Sequence, residues 1–359
     1  MPVQESAVLD ALRAVKDPDL HRDIVTLGFV KHVVIDGGRV SFTIELTTPA
    51  CPVKDQMRDQ ARDIVMKIPD VTGVDVAMSA QVRSAAPDQG RAPVAGIRNI
   101  IAVGAGKGGV GKTTVAVNLA MALVKCGGRV GMIDGDIYGP NVPIMLGMQT
   151  QLTTEGGKIV PAQKYGLKVI SIGFLTGDDA PVIWRGPMLH GVIRQFFQEV
   201  AWGELDYLIV DMPPGTGDVA LSISQTVPVA GAIAVTTPQQ VSLADTRRAV
   251  RMYQKLNVPV LGLIENMGYF VCPACEHESD IFGRGGGEVL AGELEVAFLG
   301  RIPIYEPIRI GSDRGLPLIL SEPDSPAAKA FMFVAENAAA QISIASYRKP
   351  ATIQLTSVR

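Results

Sequence analysis

The chain has 359 residues, 47% apolar and 19% charged, with a net charge of −3. That length suggests about two domains with ample core, and the small negative charge argues against a broad nucleic-acid footprint. No apolar run approaches the roughly 18 residues of a membrane span, the N-terminal MPVQESAVLDAL lacks the pattern of a signal peptide, and four cysteines (Cys51, Cys126, Cys272, Cys275) are too few for a disulfide scaffold. The expectation is a cytoplasmic protein with neither nucleic acid nor membrane as partner.

Residues 5–15 carry apolar side chains at Val8, Leu12 and Val15, a helical spacing that ends at Asp17-Pro18. Val30 to Ile35 reads as a strand, Asp36-Gly37-Gly38 as a hairpin turn, and Val40, Phe42, Ile44 and Leu46 alternate down the returning strand. A helix near 52–67 and a strand near 71–78 complete a small α+β domain. The stretch 79–96, SAQVRSAAPDQGRAPVAG, loses all periodicity and reads as a linker. The expected division is a small domain over 1–80, a linker over 81–97, a nucleotide domain over 98–345 and a polar tail over 346–359.

Within the large domain, strand and helix patterns alternate. Strands are expected at 99–104, 129–134, 168–173, 206–211, 230–236, 258–264 and 296–300. Helices are expected near 112–126, 187–200, 217–226, 242–256 and 326–343. Several strands are near-continuous apolar runs, the mark of strands covered on both faces. The fold class is α/β, a doubly wound, mostly parallel sheet with its ligand site at the strand carboxyl ends.

The first of those strands runs into Gly106-Lys107-Gly108-Gly109-Val110-Gly111-Lys112-Thr113-Thr114, and a buried helix pattern follows. Strand, glycine-rich turn and helix form the context of a P-loop NTPase phosphate site. Glycines let backbone N–H groups curl around phosphate oxygens, and the helix N-terminus adds positive charge there. Lys112 is expected to reach the β- and γ-phosphates of ATP, and the Thr113 hydroxyl to join the shell of a Mg²⁺ ion. Asp134-Gly135-Asp136 and Asp211 end apolar strands, where carboxylates hold Mg²⁺ or activate water, or simply end strands as turn residues. Pro213, Pro214, Gly215, Thr216 and Gly217 follow Asp211 and favour function, with the Gly215 N–H placed to sense a γ-phosphate. Asn266 follows the strand 258–264, where it reads either as a base contact or as a turn residue.

Cys272-Pro273-Ala274-Cys275 has the spacing that lets two thiolates face one ion or cluster. Four thiolates normally fill such a site, and two chains in a symmetric dimer would supply them. Zinc with His277 as a third ligand, and redox or structural roles, stay open on spacing alone. Cys51, before the small domain's second helix, reads equally as a metal-contacting thiol or a buried small hydrophobe. Cys126 reads as structural.

The string KGGVGKTT resembles the deviant Walker A ATPases, the class of MinD, ParA and the nitrogenase iron protein. The resemblance implies that Lys107 reaches across a homodimer to the partner's nucleotide, that Asp136 activates water, and that Asn266 contacts the base. The ordered strings GKGGVGKTT, DGDIYGPN, WRGPM, DMPPGTGD, TTPQ and ENMGYFVCPAC resemble the Mrp/ApbC group of iron–sulfur cluster carrier ATPases. DPDLHRDIVTLGFV and TTPACP resemble the small domain of iron–sulfur assembly factors. Together these cover about nine-tenths of the chain. They imply a slow ATPase that holds a [4Fe–4S] cluster between two subunits at Cys272 and Cys275. Clusters would come from assembly factors and pass to apoproteins. Gly268 stands where the group usually has serine, a change expected to leave the site undisturbed. The competing readings are a positioning ATPase of the MinD or ParA kind, for which the tail offers only Arg348, Lys349 and Arg359, and a zinc-bridged nucleotide-binding scaffold.

Overall fold

The computed structural model describes residues 3–85, 93–136, 139–174, 186–213, 215, 218–275 and 277–347. Trp184, Arg185, Pro214, Thr216, Gly217, residues 86–92 of the linker stretch and the tail from 348 lie outside the described residues. The chain forms two compact units, Met1–Arg83 and Ser84–Arg359.

The small unit runs α1 (Glu5–Leu12), β1 (Val30–Asp36), β2 (Arg39–Leu46), α2 (Lys54–Val65) and β3 (Gly73–Ala80). β1 and β2 pair antiparallel through the two-residue turn at Gly37-Gly38, and β3 joins β2 in parallel. Val40, Phe42, Ile44 and Leu46 are buried as the alternation requires, because successive strand residues face opposite sides. Val8 and Leu12 of α1 and Met57, Ala61 and Val65 of α2 are buried too, on one face of each helix.

The large unit opens with β4 (Ile97–Ala105), α3 (Lys112–Lys125), β5 (Val130–Asp134) and a short α4 (Val142–Met145). Three short strands follow, β6 (Thr153–Glu155), β7 (Lys158–Val160) and β8 (Ala162–Lys164), then β9 (Leu167–Ser171) and α5 (Gly186–Gln198). Next come β10 (Leu205–Asp211), α6 (Asp218–Thr226), β11 (Gly231–Thr236), α7 (Gln240–Lys255) and β12 (Val260–Glu265). A small ribbon of β13 (Phe270–Val271) and β14 (Glu278–Ser279) precedes α8 (Gly286–Glu293) and β15 (Phe298–Arg301). Helices α9 (Glu306–Arg314), α10 (Leu318–Ser321) and α11 (Pro326–Tyr347) close the described chain.

Eight strands form one sheet in the order β15-β12-β11-β4-β10-β5-β9-β8. Every neighbouring pair is parallel except β8 with β9 at the edge. This is the doubly wound, mostly parallel sheet expected from the apolar runs. Ile193, Phe196 and Phe197 of α5, Ile223 of α6 and Tyr253 of α7 share one core cluster with Ile100, Ala102, Leu208 and Val210 of the central strands. Strand residues of the opposite parity, Ile101, Val103 and Ile209, are buried as well, and α3 packs on β4, β5 and β10. Among the described residues, no helix is long and apolar enough to cross a membrane.

The sequence patterns name no element for β6, β7, β8, β13 and β14, nor for α4, α8, α9 and α10. The strands among them hold only two or three residues, too few for a period to appear.

The long helix α11 lies on α3, β12 and β15, and its Phe331 is fully buried. Replacing Phe331 with Ala removes a ring that the surroundings cannot refill, so urea unfolding should show a loss of about 3–5 kcal/mol.

Candidate functional site: a phosphate loop and a thiol ribbon

The sheet order sets the site. β10 lies between β4 and β5, and its last residue, Asp211, pairs in register with Val103 on one side and Asp134 on the other. The phosphate loop, Gly106 to Thr114, leaves β4 at the same carboxyl edge and enters α3 at Lys112. Gly111 caps α3 in the left-handed region at φ +80°, and a Cβ there would lie 2.3 Å from Asn266 Nδ2, so two requirements favour glycine at once.

Three predicted residues converge. Lys112 Nζ lies 2.6 Å from Asp211 Oδ1, the Thr113 hydroxyl donates to Asp211 Oδ2 at 2.8 Å, and Lys112 Nζ is 3.3 Å from Thr113 Oγ1. Both members of the ion pair are buried. Burial pushes Asp211 above the usual carboxylate range, while the Lys112 ammonium and the Thr113 hydroxyl act against that. The lysine expected on phosphates is thus held by the carboxylate that ends β10.

Asp134 is also fully buried, but neutral donors surround it. The Ser171 hydroxyl (3.0 Å) and the Val142 N–H (3.2 Å) donate to Oδ2, and the Asp136 N–H (3.3 Å) donates to Oδ1. Burial first, then the charge of Asp211, pushes its pKa up to about 8. Asp134 therefore shapes the turn that presents Asp136, and Ser171 is a partner that no sequence pattern announces.

The remaining loop positions are occupied as follows. The Gly215 N–H donates to the Ala105 carbonyl at 3.3 Å. Lys107 is half-buried, Gly108 and Gly109 are exposed, and Val110 is buried. Asn266 follows β12 as expected, and its Nδ2 donates to the Val110 carbonyl at 2.8 Å. One of its two amide hydrogens is thereby committed to the loop itself.

The cysteine pair sits on the β13–β14 ribbon, where Phe270 pairs with Ser279 and Val271 with Glu278. The Cys272 N–H donates to the His277 carbonyl at 3.0 Å and closes the turn that carries both thiols. Cys272 is half-buried and Cys275 exposed, and both are free thiols. The backbone N–H groups of Ala274 and Cys275, and then the Cys275 thiol, hold the Cys272 thiol below its ordinary pKa. Donors aimed at sulfur stabilise the thiolate, the form that binds metal. Arg284 braces the ribbon, stacking 5.0 Å from the Tyr269 ring and pairing with Glu278 at 2.5 Å. Among the described residues, no three His, Cys, Asp or Glu side chains group to hold a metal, so His277 forms no such set with the two thiols. Cys51 is buried and Cys126 half-buried, and neither is in a disulfide.

Two functional candidates escape the sequence reading, Glu265 and Arg301. Glu265 ends β12 as Asp211 ends β10, so an acidic residue closing an apolar strand was the available signal. Gly268 also differs from expectation. A Cβ there would lie 2.3 Å from Arg301 Cγ and 2.9 Å from Glu265 Oε1, so the missing side chain is the space that Arg301 fills.

A family model described as "NUBPL iron-transfer P-loop NTPase" matches residues 96–339, and one described as "Iron-sulfur cluster assembly protein" matches 5–76. A protein of Synechocystis named "Iron-sulfur cluster carrier protein" is 49% identical over 95% of this chain and 98% of its own length. Proteins of the same name from Deinococcus radiodurans and Escherichia coli K12 are 48% and 38% identical, over 94% and 93% of this chain and 95% and 91% of their own. Among solved structures, an Archaeoglobus fulgidus nucleotide-binding protein in complex with ADP is 40% identical, with a TM-score of 0.55 over 61% of this chain and 87% of that one. The Pyrococcus furiosus cell division ATPase MinD is 28% identical, with a TM-score of 0.52 over 67% of this chain and 97% of that one.

Between the ordinary carboxyl value of 3.8 and about 8, native Asp134 keeps a proton that the unfolded chain releases. Its contribution to stability is therefore lost as pH rises through that window. Without nucleotide, the urea midpoint should fall between about pH 5 and about pH 8, and Asp134→Asn should flatten that fall. An unchanged slope in the variant would place the titrating group elsewhere.

Proposed function

This chain belongs to the iron-transfer P-loop NTPase family of the iron–sulfur cluster carrier proteins, and on that premise we propose that it delivers clusters to apoproteins as an ATP-hydrolysing homodimer. The observation that carries this reading is the ribbon, where two thiols at a two-residue spacing share one turn, Cys275 is exposed, and the backbone N–H groups of Ala274 and Cys275 hold the Cys272 thiol below its ordinary pKa. Each chain contributes two thiolates, and a symmetric pair contributes the four that a [4Fe–4S] cluster takes. The cluster is cargo. Thiols of an apoprotein replace Cys272 and Cys275 one by one, and the proton each releases on binding returns to the carrier's departing sulfur, so no electron moves.

At the other site, Lys112 leaves Asp211 and pairs with the β- and γ-phosphates. Thr113 Oγ1 and Asp211 Oδ2, 2.8 Å apart, are hard oxygen ligands of the kind Mg²⁺ takes. The ion would neutralise phosphate charge there. Asp136 orients the attacking water and accepts its proton, and ADP and phosphate leave. The Gly215 N–H exchanges the Ala105 carbonyl for a γ-phosphate oxygen. Asn266 reads the base edge with its second amide hydrogen and its oxygen. Lys107 reaches the partner's nucleotide, which couples slow hydrolysis to dimer formation.

Anaerobic reconstitution with iron and sulfide should load about four of each per dimer. Cys272→Ala should hold none while nucleotide binding persists. Bound zinc without iron or sulfide would instead support the scaffold reading. Lys112→Ala removes a charge-assisted phosphate contact, so nucleotide affinity should fall about 10- to 100-fold by calorimetry.

A further inference from the structure

The phosphate loop and the thiol ribbon are far apart in sequence, yet both are tied to two consecutive residues at the end of β12. Asn266 holds the loop through the Val110 carbonyl, and its own N–H donates to the Thr236 carbonyl at 2.8 Å. Glu265 is fully buried with both carboxylate oxygens engaged. Oε1 accepts from the Gly285 N–H at 3.0 Å and from Arg301 Nε at 2.5 Å, and Oε2 accepts from the Gly287 N–H at 2.6 Å. Gly285 and Gly287 lie at the start of α8, where the chain returns from the ribbon. The outgoing arm is fixed beside it. The Gly268 N–H donates to the Ile302 carbonyl (3.0 Å), the Ile304 N–H to the Tyr269 carbonyl (2.7 Å) and the Ile302 N–H to the Glu265 carbonyl (2.9 Å). Glu265 thus clasps the base of the excursion over 267–284.

We propose that Glu265 and Asn266 are positioning residues that transmit nucleotide loading at the phosphate loop to the thiol pair, an inference that rests on the carrier reading above. The Lys112 ammonium lies against Asp211 and Thr113. An entering phosphate draws it away and shifts Val110 and Gly111, which precede it in the loop. The Asn266 amide is bonded to the Val110 carbonyl and lies over Gly111, where a Cβ would stand 2.3 Å from its nitrogen, so a shift of these two residues reaches Asn266 directly. Displacement of Asn266 passes through one peptide bond to Glu265. That carboxylate serves three donors at once and carries the shift to the ribbon. Two sites communicate only through contacts that differ between two states, and the Val110–Asn266 contact is where loading acts.

The test is amide hydrogen exchange over 267–287 in the full chain without cluster, with and without a non-hydrolysable ATP analogue and magnesium. In the wild type, nucleotide should change exchange in this segment about fivefold or more, the lower end of typical coupling between sites. Glu265→Gln offers one acceptor oxygen in place of two, so one N–H group loses its partner. It should abolish the nucleotide response while nucleotide still binds. A merely structural Glu265 would speed exchange equally in both states, and an unchanged ratio in the variant would overturn the proposal. Gly268→Ala reaches the same clasp by pushing the Arg301 stem off Glu265. It should give the same loss, and it decides the matter if the glutamine variant does not fold. A wild type without any response overturns the proposal outright. Failed cluster loading beside an intact exchange response would remove the carrier reading and leave the mechanical link standing.

Discussion

The contact between Lys112 and Asp211 is the constraint around which the large unit is arranged. Asp211 ends a central strand with neighbours on both sides, so no water reaches its carboxylate. A charge in that place is costly unless a counter-charge accompanies it. The first residue of α3 supplies one, at the end of a loop whose glycines bring it close. The residue that the fold needs beside Asp211 is also the residue that phosphate chemistry needs. Lys112 therefore stands at the carboxyl edge of the sheet, held by Asp211 at the end of the phosphate loop.

Three buried acids close three parallel strands, and each is set apart by the donors that face it. Asp134, at the end of β5, meets a hydroxyl and two backbone N–H groups but no cation of its own, and it holds its proton near neutral pH. Asp211 meets a lysine and a threonine. Glu265 meets an arginine and two glycine N–H groups. The same residue class at the same edge of one sheet thus shapes a turn, holds the phosphate lysine and clasps a ribbon. Cys272 follows the same physics on a softer atom, with N–H groups gathered where negative charge is to reside.

Much of this was legible before any coordinate. The phosphate loop is local chemistry, nine consecutive residues whose types are dictated by phosphate oxygens and a helix start. The parallel sheet was legible because strands covered on both faces leave uninterrupted apolar runs. The two thiols at a two-residue spacing announce a shared ligand without naming it. The small strands near 153–164 and the β13–β14 ribbon were not legible, because two or three residues cannot display a period.

The sequence by itself determined the longer strands and helices and marked the phosphate loop and the paired thiols, since those depend on neighbours a few positions away. Only the tertiary structure decided the pairings. Lys112 meets Asp211 across 99 positions, and Asn266 meets Val110 across 156. Gly268 looks like a neutral exchange until the Arg301 stem is found in the space of its missing Cβ. Strand order and burial decide which charges face one another, and those depend on the whole sheet rather than on any stretch of chain.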